Sequence, residues 1–128
     1  MMTTSIPAWF EIPTIDLDRA RRFWGAVTQT ELKSEAMGPM TMAIFPFTSP
    51  QSSGALVKME GYKPSTDGSI IYLEVDDLRA ALARANDAGG ETLHPVTALP
   101  DDNGFFAQVR DSEGNRVGLF SKRDNRAS

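Results

Sequence analysis

The sequence predicts an α+β fold in which two βαβββ modules form a cupped, barrel-like, eight-stranded mixed sheet with helices on its outer face. Three observations predict it. The chain repeats at a spacing of 61 residues, since Asp77 and Leu78 stand in the second half where Asp16 and Leu17 stand in the first. An alternating strand pattern precedes each acidic helix start, and three strand-like segments follow each helix. A ferredoxin-like α+β barrel is the alternative fold, but the third strand after each helix argues against it.

The first module, about residues 8–60, opens with an alternating strand. In AWFEIP, Phe10 and Ile12 share one face, while Trp9 and Glu11 share the other. Asp16 is expected to cap the helix that follows, because a side-chain carboxylate satisfies free N–H groups at a helix start. The apolar stripe predicted along this helix consists of Leu17, Ala20, Trp24 and Val27. Strands are then predicted near 30–35, 40–46 and 54–59.

A linker at 60–68 leads to the second module, about residues 69–122, and residues 123–128 form a C-terminal tail. Asp76 or Asp77 is expected to cap the second helix, and Gly89 and Gly90 to end it. Strands are predicted near 91–97, 104–110 and 115–121. In the segment SIIYLEVDDL, the side chains expected to face the core are Ile71, Leu73 and Val75. Those expected on the opposite face are Ile70, Tyr72 and Glu74. The whole chain, 1–128, is predicted to be one domain.

Composition excludes several classes of function. The chain has 128 residues, 41% of them hydrophobic and 23% charged, which is typical of a globular protein. Its net charge of −4 and pI near 4.9 argue against a nucleic-acid partner. The absence of cysteine excludes disulfides and thiolate chemistry. The N-terminal segment MMTTSIPAWF lacks the pattern of a signal peptide, and no stretch resembles a membrane span, so we expect a cytoplasmic protein without a membrane partner.

Three motifs, EIPTIDLDRARRFW, YLEVDDLRAALARANDAGG and FAQVRDSEGNRVGLF, resemble the vicinal oxygen chelate superfamily, which includes glyoxalase I, extradiol dioxygenases and bleomycin-resistance proteins. The resemblance extends over about residues 8–121. It implies a divalent-ion site in metal-dependent members, with ligands on the first strand of each module, the fourth strand and the last strand. Those positions fall here on Trp9, Ile70, the segment 56–58 and Gly118. Since none of them offers imidazole or carboxylate, we expect no metal and no other cofactor.

The side chains expected to line the cup follow from strand alternation, and they combine aromatic rings with a few polar groups. Phe45 is a further candidate of uncertain parity, and Glu11 and Glu74 are expected to pair with Lys58 or Arg116. The single histidine, His94, precedes Pro95 on an expected edge strand and is interpreted as structural. The predicted ligand-binding residues are Trp9, Glu11, Leu56, Lys58, Ile70, Tyr72, Glu74, Phe106, Gln108, Arg116 and Phe120.

Three functional hypotheses follow. The first is a metal-free binding protein that holds a small, partly aromatic molecule in an aromatic-lined cup, with no catalytic residue assigned. The second is a metal-dependent or metal-free lyase, isomerase or dioxygenase, as the resemblance implies. The third is an interaction module whose sheet faces serve dimerisation alone; the resemblance implies a homodimer in any of the three cases.

Overall fold

The structure, a computed structural model, describes residues 7–47 and 53–124. The last four residues of the predicted tail, 125–128, lie outside the described part. The first module comprises β1 (Trp9–Pro13), α1 (Leu17–Thr28), β2 (Lys33–Met37), β3 (Met40–Ile44) and β4 (Ser53–Lys58). The second comprises β5 (Tyr72–Glu74), α2 (Leu78–Asp87), β6 (Glu91–Ala98), a 3₁₀ turn (Pro100–Asp102), β7 (Phe105–Arg110) and β8 (Arg116–Ser121). The predicted α+β arrangement of two βαβββ modules is confirmed.

The strands form two four-stranded mixed sheets with the same connectivity, β1-β4-β3-β2 and β5-β8-β7-β6. In each sheet the first strand of the module pairs in parallel with the last, and the remaining neighbours are antiparallel. One face of each sheet packs against the helix of its own module. We refer to the opposite surface of each sheet as its helix-free face.

Both helices begin as the sequence predicts. The side chain of Asp16 accepts a hydrogen bond from the backbone N–H of Arg19 at 3.0 Å, and Asp77 accepts one from Ala80 at 3.1 Å. Helix α2 ends before Gly89, whose φ of 104° is a conformation that glycine adopts without steric cost. No helix within the described residues is long and apolar enough to cross a membrane.

One continuous hydrophobic cluster joins the two modules. It contains residues of α1, α2 and the helix-facing sides of both sheets. Phe23, which is absent from the predicted stripe of α1, is buried because it faces the second module, where a β-carbon at Gly90 would lie 2.8 Å from its ring. The guanidinium of Arg84 on α2 donates to the carbonyl of Val27 at 2.9 Å, so one helix caps the end of the other.

The DSEGN turn between β7 and β8 holds the second module to the first. The side chain of Glu113 is fully buried and accepts hydrogen bonds from the backbone N–H groups of Ile15 and Asp16 and from the guanidinium of Arg19, at 2.7 to 3.1 Å. Burial raises the pKa of Glu113, but these hydrogen bonds and one from Ser112 outweigh burial and lower it to about 2. The carboxylate therefore remains charged at neutral pH.

Asp111, at the start of the same turn, organises the remainder of the junction. It accepts hydrogen bonds from the indole N–H of Trp24 at 3.2 Å and from the backbone N–H groups of Glu113 and Asn115, each at 2.9 Å. The amide of Asn115 donates in turn to the carbonyl of Pro13 at the end of β1, at 2.8 Å. Because Arg116 follows directly, these contacts also fix where β8 begins.

Candidate functional site

An aromatic pocket lies on the helix-free face of the second sheet. Its walls are Tyr72 on β5, Leu99 after β6, Phe106 on β7 and Phe120 on β8, and they line a solvent-open cavity of about 280 Å³. The rings of Tyr72 and Phe106 meet edge to face, with centroids 6.1 Å apart. Alternation brings these side chains together, because Tyr72 is paired with Gly118 across β5 and β8, and Phe106 with Phe120 across β7 and β8.

A chain of hydrogen bonds borders the pocket. The guanidinium Nη1 of Arg116 donates to Oε1 of Gln108 at 2.8 Å, and Nε2 of Gln108 donates to the hydroxyl oxygen of Tyr72 at 2.6 Å. Arg116 also donates from Nε to the carbonyl of Thr66 in the linker, at 3.4 Å. Gln108 and Arg116 do not line the cavity themselves, so the Tyr72 hydroxyl is the polar side-chain group that its walls carry.

Gly118 provides the space that Tyr72 occupies. A β-carbon built at Gly118 would lie 2.2 Å from Cδ2 of the Tyr72 ring and 2.3 Å from Cε2. Real atoms do not approach so closely, so any larger residue at position 118 requires the ring to move. Glycine at this position and tyrosine at position 72 form one structural unit.

The helix-free face of the first sheet differs because the chain itself covers it. Met42, Ala55 and Val57 are buried there, and Met59 and Tyr62 from the segment after β4 pack onto them. At the end of this sheet that is nearer the second module, the Tyr62 hydroxyl donates to Oε1 of Glu11 at 3.3 Å. The negative charge of Glu11, followed by burial and this hydrogen bond, raises the pKa of Tyr62. This part of the first sheet is therefore covered, whereas the aromatic pocket of the second sheet is open to solvent.

Several sequence predictions about the first module require correction. Leu56 does not face the cup: it is fully buried in the helix-covered core, and its parallel partner in β1 is the core residue Ile12. Lys58 has the same parity as Leu56 and is exposed at the end of β4. Phe45 also lies in the helix-covered core, packed against Trp24. The physical reason is that β4 is buried on both faces and so carries no alternation from which its parity can be determined.

The other predicted residues lie on the expected face but do not form one cluster. Trp9 is exposed, and its indole N–H donates to Oε2 of Glu11 at 3.4 Å. Ile70 is exposed just before β5 begins. Glu74 lies 3.9 Å from the ammonium of Lys122. The predicted ion pairs are wrong: across the part of the chain that the structure describes, neither Glu11 nor Glu74 pairs with Lys58 or Arg116.

Sequence reasoning missed two residues of the site. The imidazole of His94 stacks on the ring of Phe106, with centroids 4.9 Å apart and planes inclined by 28°. Leu99 contributes the wall that leads into the 3₁₀ turn. A signal for His94 existed in principle, because β6 pairs with β7 and places His94 opposite Gln108. Register shifts on both sides of His94 interrupt the alternation and conceal that placement.

The positions where the resemblance expects metal ligands are Trp9, Ile70, the segment 56–58 and Gly118, and none of them carries an imidazole or a carboxylate. Elsewhere in residues 7–47 and 53–124, no group of three or more His, Cys, Asp or Glu side chains is placed to hold a metal ion. On the second sheet, Glu91 pairs with Arg110, Glu74 lies 3.9 Å from the ammonium of Lys122, and Nδ1 of His94 lies 3.1 Å from the carbonyl oxygen of Pro95.

Comparisons with known proteins give consistent results. A sequence profile of the Glyoxalase/Bleomycin resistance protein/Dioxygenase superfamily matches residues 6–119. A glyoxylase-like domain-containing protein of Didymella fabae is 30% identical over 117 residues, which cover 88% of this chain and 90% of that protein. A solved glyoxalase/bleomycin resistance protein from Albidiferax ferrireducens T118 is 17% identical, with a TM-score of 0.69 over 91% of this chain and 98% of its own.

A second structural neighbour is longer. The V278E mutant of glyoxalase I from Zea mays is 17% identical and has a TM-score of 0.67 over 90% of this chain, but only 45% of the maize chain is covered. The present chain thus spans less than half the length of that enzyme. At this level of identity the two structural neighbours share the fold with this chain, and similarity of fold does not transfer an activity.

Proposed function

This chain belongs to the glyoxalase/bleomycin resistance protein/dioxygenase superfamily, and from that premise we propose that it binds a small, partly aromatic molecule without a divalent metal ion. The binding site is the aromatic pocket of Tyr72, Leu99, Phe106 and Phe120. This proposal narrows the ligand-binding residues predicted from the sequence to those of the second module.

The observation that carries the proposal is an apolar cavity in which one wall, Tyr72, carries a hydroxyl group. Small-molecule sites characteristically combine hydrophobic and aromatic walls with a few placed polar groups. The pocket's volume of about 280 Å³ is suited to one or two fused rings rather than to a large ligand. The imidazole of His94 stacks on the ring of Phe106 and thereby supports that wall of the pocket.

Binding without a metal ion is supported by the residue types at the inherited ligand positions. Divalent ions of the borderline class require imidazole, carboxylate or thiolate donors, and Trp9, Ile70 and Gly118 offer none of these. A side chain long enough to coordinate at position 118 would also collide with the Tyr72 ring. The residues that are present therefore do not fit the ion used by metal-dependent relatives.

A second copy of the chain is the competing occupant of the same surface. Tyr72 and Ile70 are exposed on the helix-free face, and aromatic residues are enriched in protein interfaces. Sedimentation velocity over a range of protein concentrations distinguishes the two uses. If Phe106→Ala abolishes self-association and no small molecule binds, the pocket is an interface and the ligand proposal is wrong.

Thermal unfolding in the presence of planar one-ring and two-ring aromatics tests the proposal. A ligand at 100 times its Kd adds about 2.7 kcal/mol of stability, which raises Tm measurably. We expect at least one of 4-hydroxybenzoate, 2-naphthol and quinoline to raise the Tm of the wild type. The rise, measured against each variant's own ligand-free Tm, should disappear in Phe106→Ala. It should persist in Phe47→Ala, which removes an exposed ring outside the pocket.

A further inference from the structure

We infer that Tyr72 is a directed hydrogen-bond donor in the pocket, and that the bound molecule therefore carries a carbonyl or anionic oxygen at the edge of its ring system. This inference rests on the proposed function, because it specifies the chemistry of the ligand for the same pocket. It depends on the direction of each hydrogen bond in the chain from Arg116 through Gln108 to Tyr72.

The first step fixes the orientation of the Gln108 amide. A guanidinium has only donors, so the atom of Gln108 that lies 2.8 Å from Nη1 of Arg116 is the amide oxygen. The NH₂ group must then point the other way, toward Tyr72. Arg116 thus determines which end of the amide the tyrosine meets.

The second step fixes the role of the Tyr72 hydroxyl. Its oxygen accepts from Nε2 of Gln108 at 2.6 Å, so its own proton cannot lie on that bond. Within residues 7–47 and 53–124, no side chain or carbonyl accepts that proton. The hydroxyl, on a side chain that is 43% exposed, is therefore available to donate outward.

The third step excludes the pocket walls as acceptors. Leu99, Phe106 and Phe120 carry no polar side-chain atom, so the oxygen that receives the Tyr72 proton must come from the bound molecule. A molecule without an acceptor would displace water from the hydroxyl and leave it unpaired, which costs binding free energy. The positive charge of Arg116 behind Gln108 further favours a carbonyl, carboxylate or phenolate oxygen over an ammonium group.

Prodan is a suitable probe for this arrangement. It is a planar naphthalene dye with a ketone oxygen, and its emission moves to longer wavelength when that oxygen accepts a hydrogen bond. Tyr72→Phe keeps the ring and removes the donor. Gln108→Glu keeps the bond to Arg116 but offers Tyr72 a carboxylate, which takes its proton away from the pocket. Tyr62→Phe is the matched control, since it makes the same chemical change outside the pocket.

We expect saturable Prodan binding to the wild type with emission at longer wavelength than in Tyr72→Phe and Gln108→Glu. Binding should weaken about threefold to tenfold in Tyr72→Phe and remain unchanged in Tyr62→Phe. One outcome separates the donor role from the pocket: the dye binds to the wild type and not to Phe106→Ala, but its emission is the same in Tyr72→Phe as in the wild type. In that case the donor role is wrong, and the pocket is still the binding site. If the wild type does not bind Prodan, the donor role is overturned, and a thermal screen without any response then overturns the proposed function as well.

Discussion

The backbone of Gly118 lies directly beneath the ring of Tyr72, so that a β-carbon at position 118 would be 2.2 Å from Cδ2 of that ring. The resemblance to metal-dependent relatives places a ligand at this position of the last strand. In this chain a tyrosine ring fills the space in which a longer side chain would have to lie. Glycine at the position where the resemblance expects a ligand thus leaves the space that the Tyr72 ring occupies.

Substitution of this glycine should disturb the pocket. Gly118→Ala forces the Tyr72 ring away from β8, and we expect a loss of about 1–3 kcal/mol in the free energy of unfolding, the usual cost of overpacking. Chemical denaturation measures this loss. The bond between Gln108 and Tyr72 should break in the same variant, because the hydroxyl moves with the ring.

A double-mutant cycle separates the clash from a general effect of alanine on the strand. In the Tyr72→Ala background the ring is absent, so Gly118→Ala should be nearly neutral or slightly stabilising. An equal cost of Gly118→Ala with and without the ring would show that the two residues are not coupled, contrary to their contact.

Glu113 makes the stability of the junction depend on pH. Its folded-state pKa of about 2 lies below the unfolded value of about 4.3, so its stabilisation is complete above pH 4.3 and is lost as pH falls toward 2. From this difference, Glu113→Gln should lower the free energy of unfolding at pH 7 by about 2–3 kcal/mol. Denaturant titrations between pH 2 and pH 7 should show the wild type and the variant converging as pH falls.

An exposed glutamate provides the control for this experiment. Glu91 forms an ion pair with Arg110 on the surface of the second sheet, where such pairs contribute little. Glu91→Gln should therefore change the free energy of unfolding by less than about 1 kcal/mol at any pH. A constant gap between wild type and Glu113→Gln down to pH 2 would mean that the charge of Glu113 is not what holds the junction.

Arg84 should contribute to stability through the end of α1. Its guanidinium donates to the carbonyls of Ala26 and Val27, at 3.0 and 2.9 Å, where the helix has unsatisfied acceptors. Arg84→Met keeps the apolar stem, and we expect a loss of about 1 kcal/mol. Arg22→Met is the matched control on an exposed position of α1 and should be close to neutral. Equal effects of both substitutions would contradict the capping role.

The sequence predicted the faces of side chains correctly where strand alternation is strong. Tyr72, Phe106, Gln108 and Phe120 were all assigned to the correct face, because their strands alternate between core residues and outward residues. The assignment failed at Leu56, because β4 is apolar on both faces and a shift of one residue leaves its pattern unchanged.

The contacts that hold the modules together could not be predicted. Strands were predicted on both sides of the DSEGN segment, but the bond from Ile15 to Glu113 joins residues 98 positions apart in the sequence. Local patterns report on neighbours in the chain and not on such distant partners. The same limitation concealed Tyr62, whose bond to Glu11 depends on how the segment after β4 folds back over the first sheet.

The most direct measurement of the central claim is Prodan binding by protein dialysed against EDTA, with elemental analysis of the same sample and with nickel, zinc, manganese or iron(II) added back. We predict saturable binding in the metal-free protein, unchanged affinity after each addition, and a loss of more than about tenfold in Phe106→Ala. Tight, stoichiometric uptake of one of these metals, with dye binding that depends on it, would contradict metal-free recognition in the aromatic pocket.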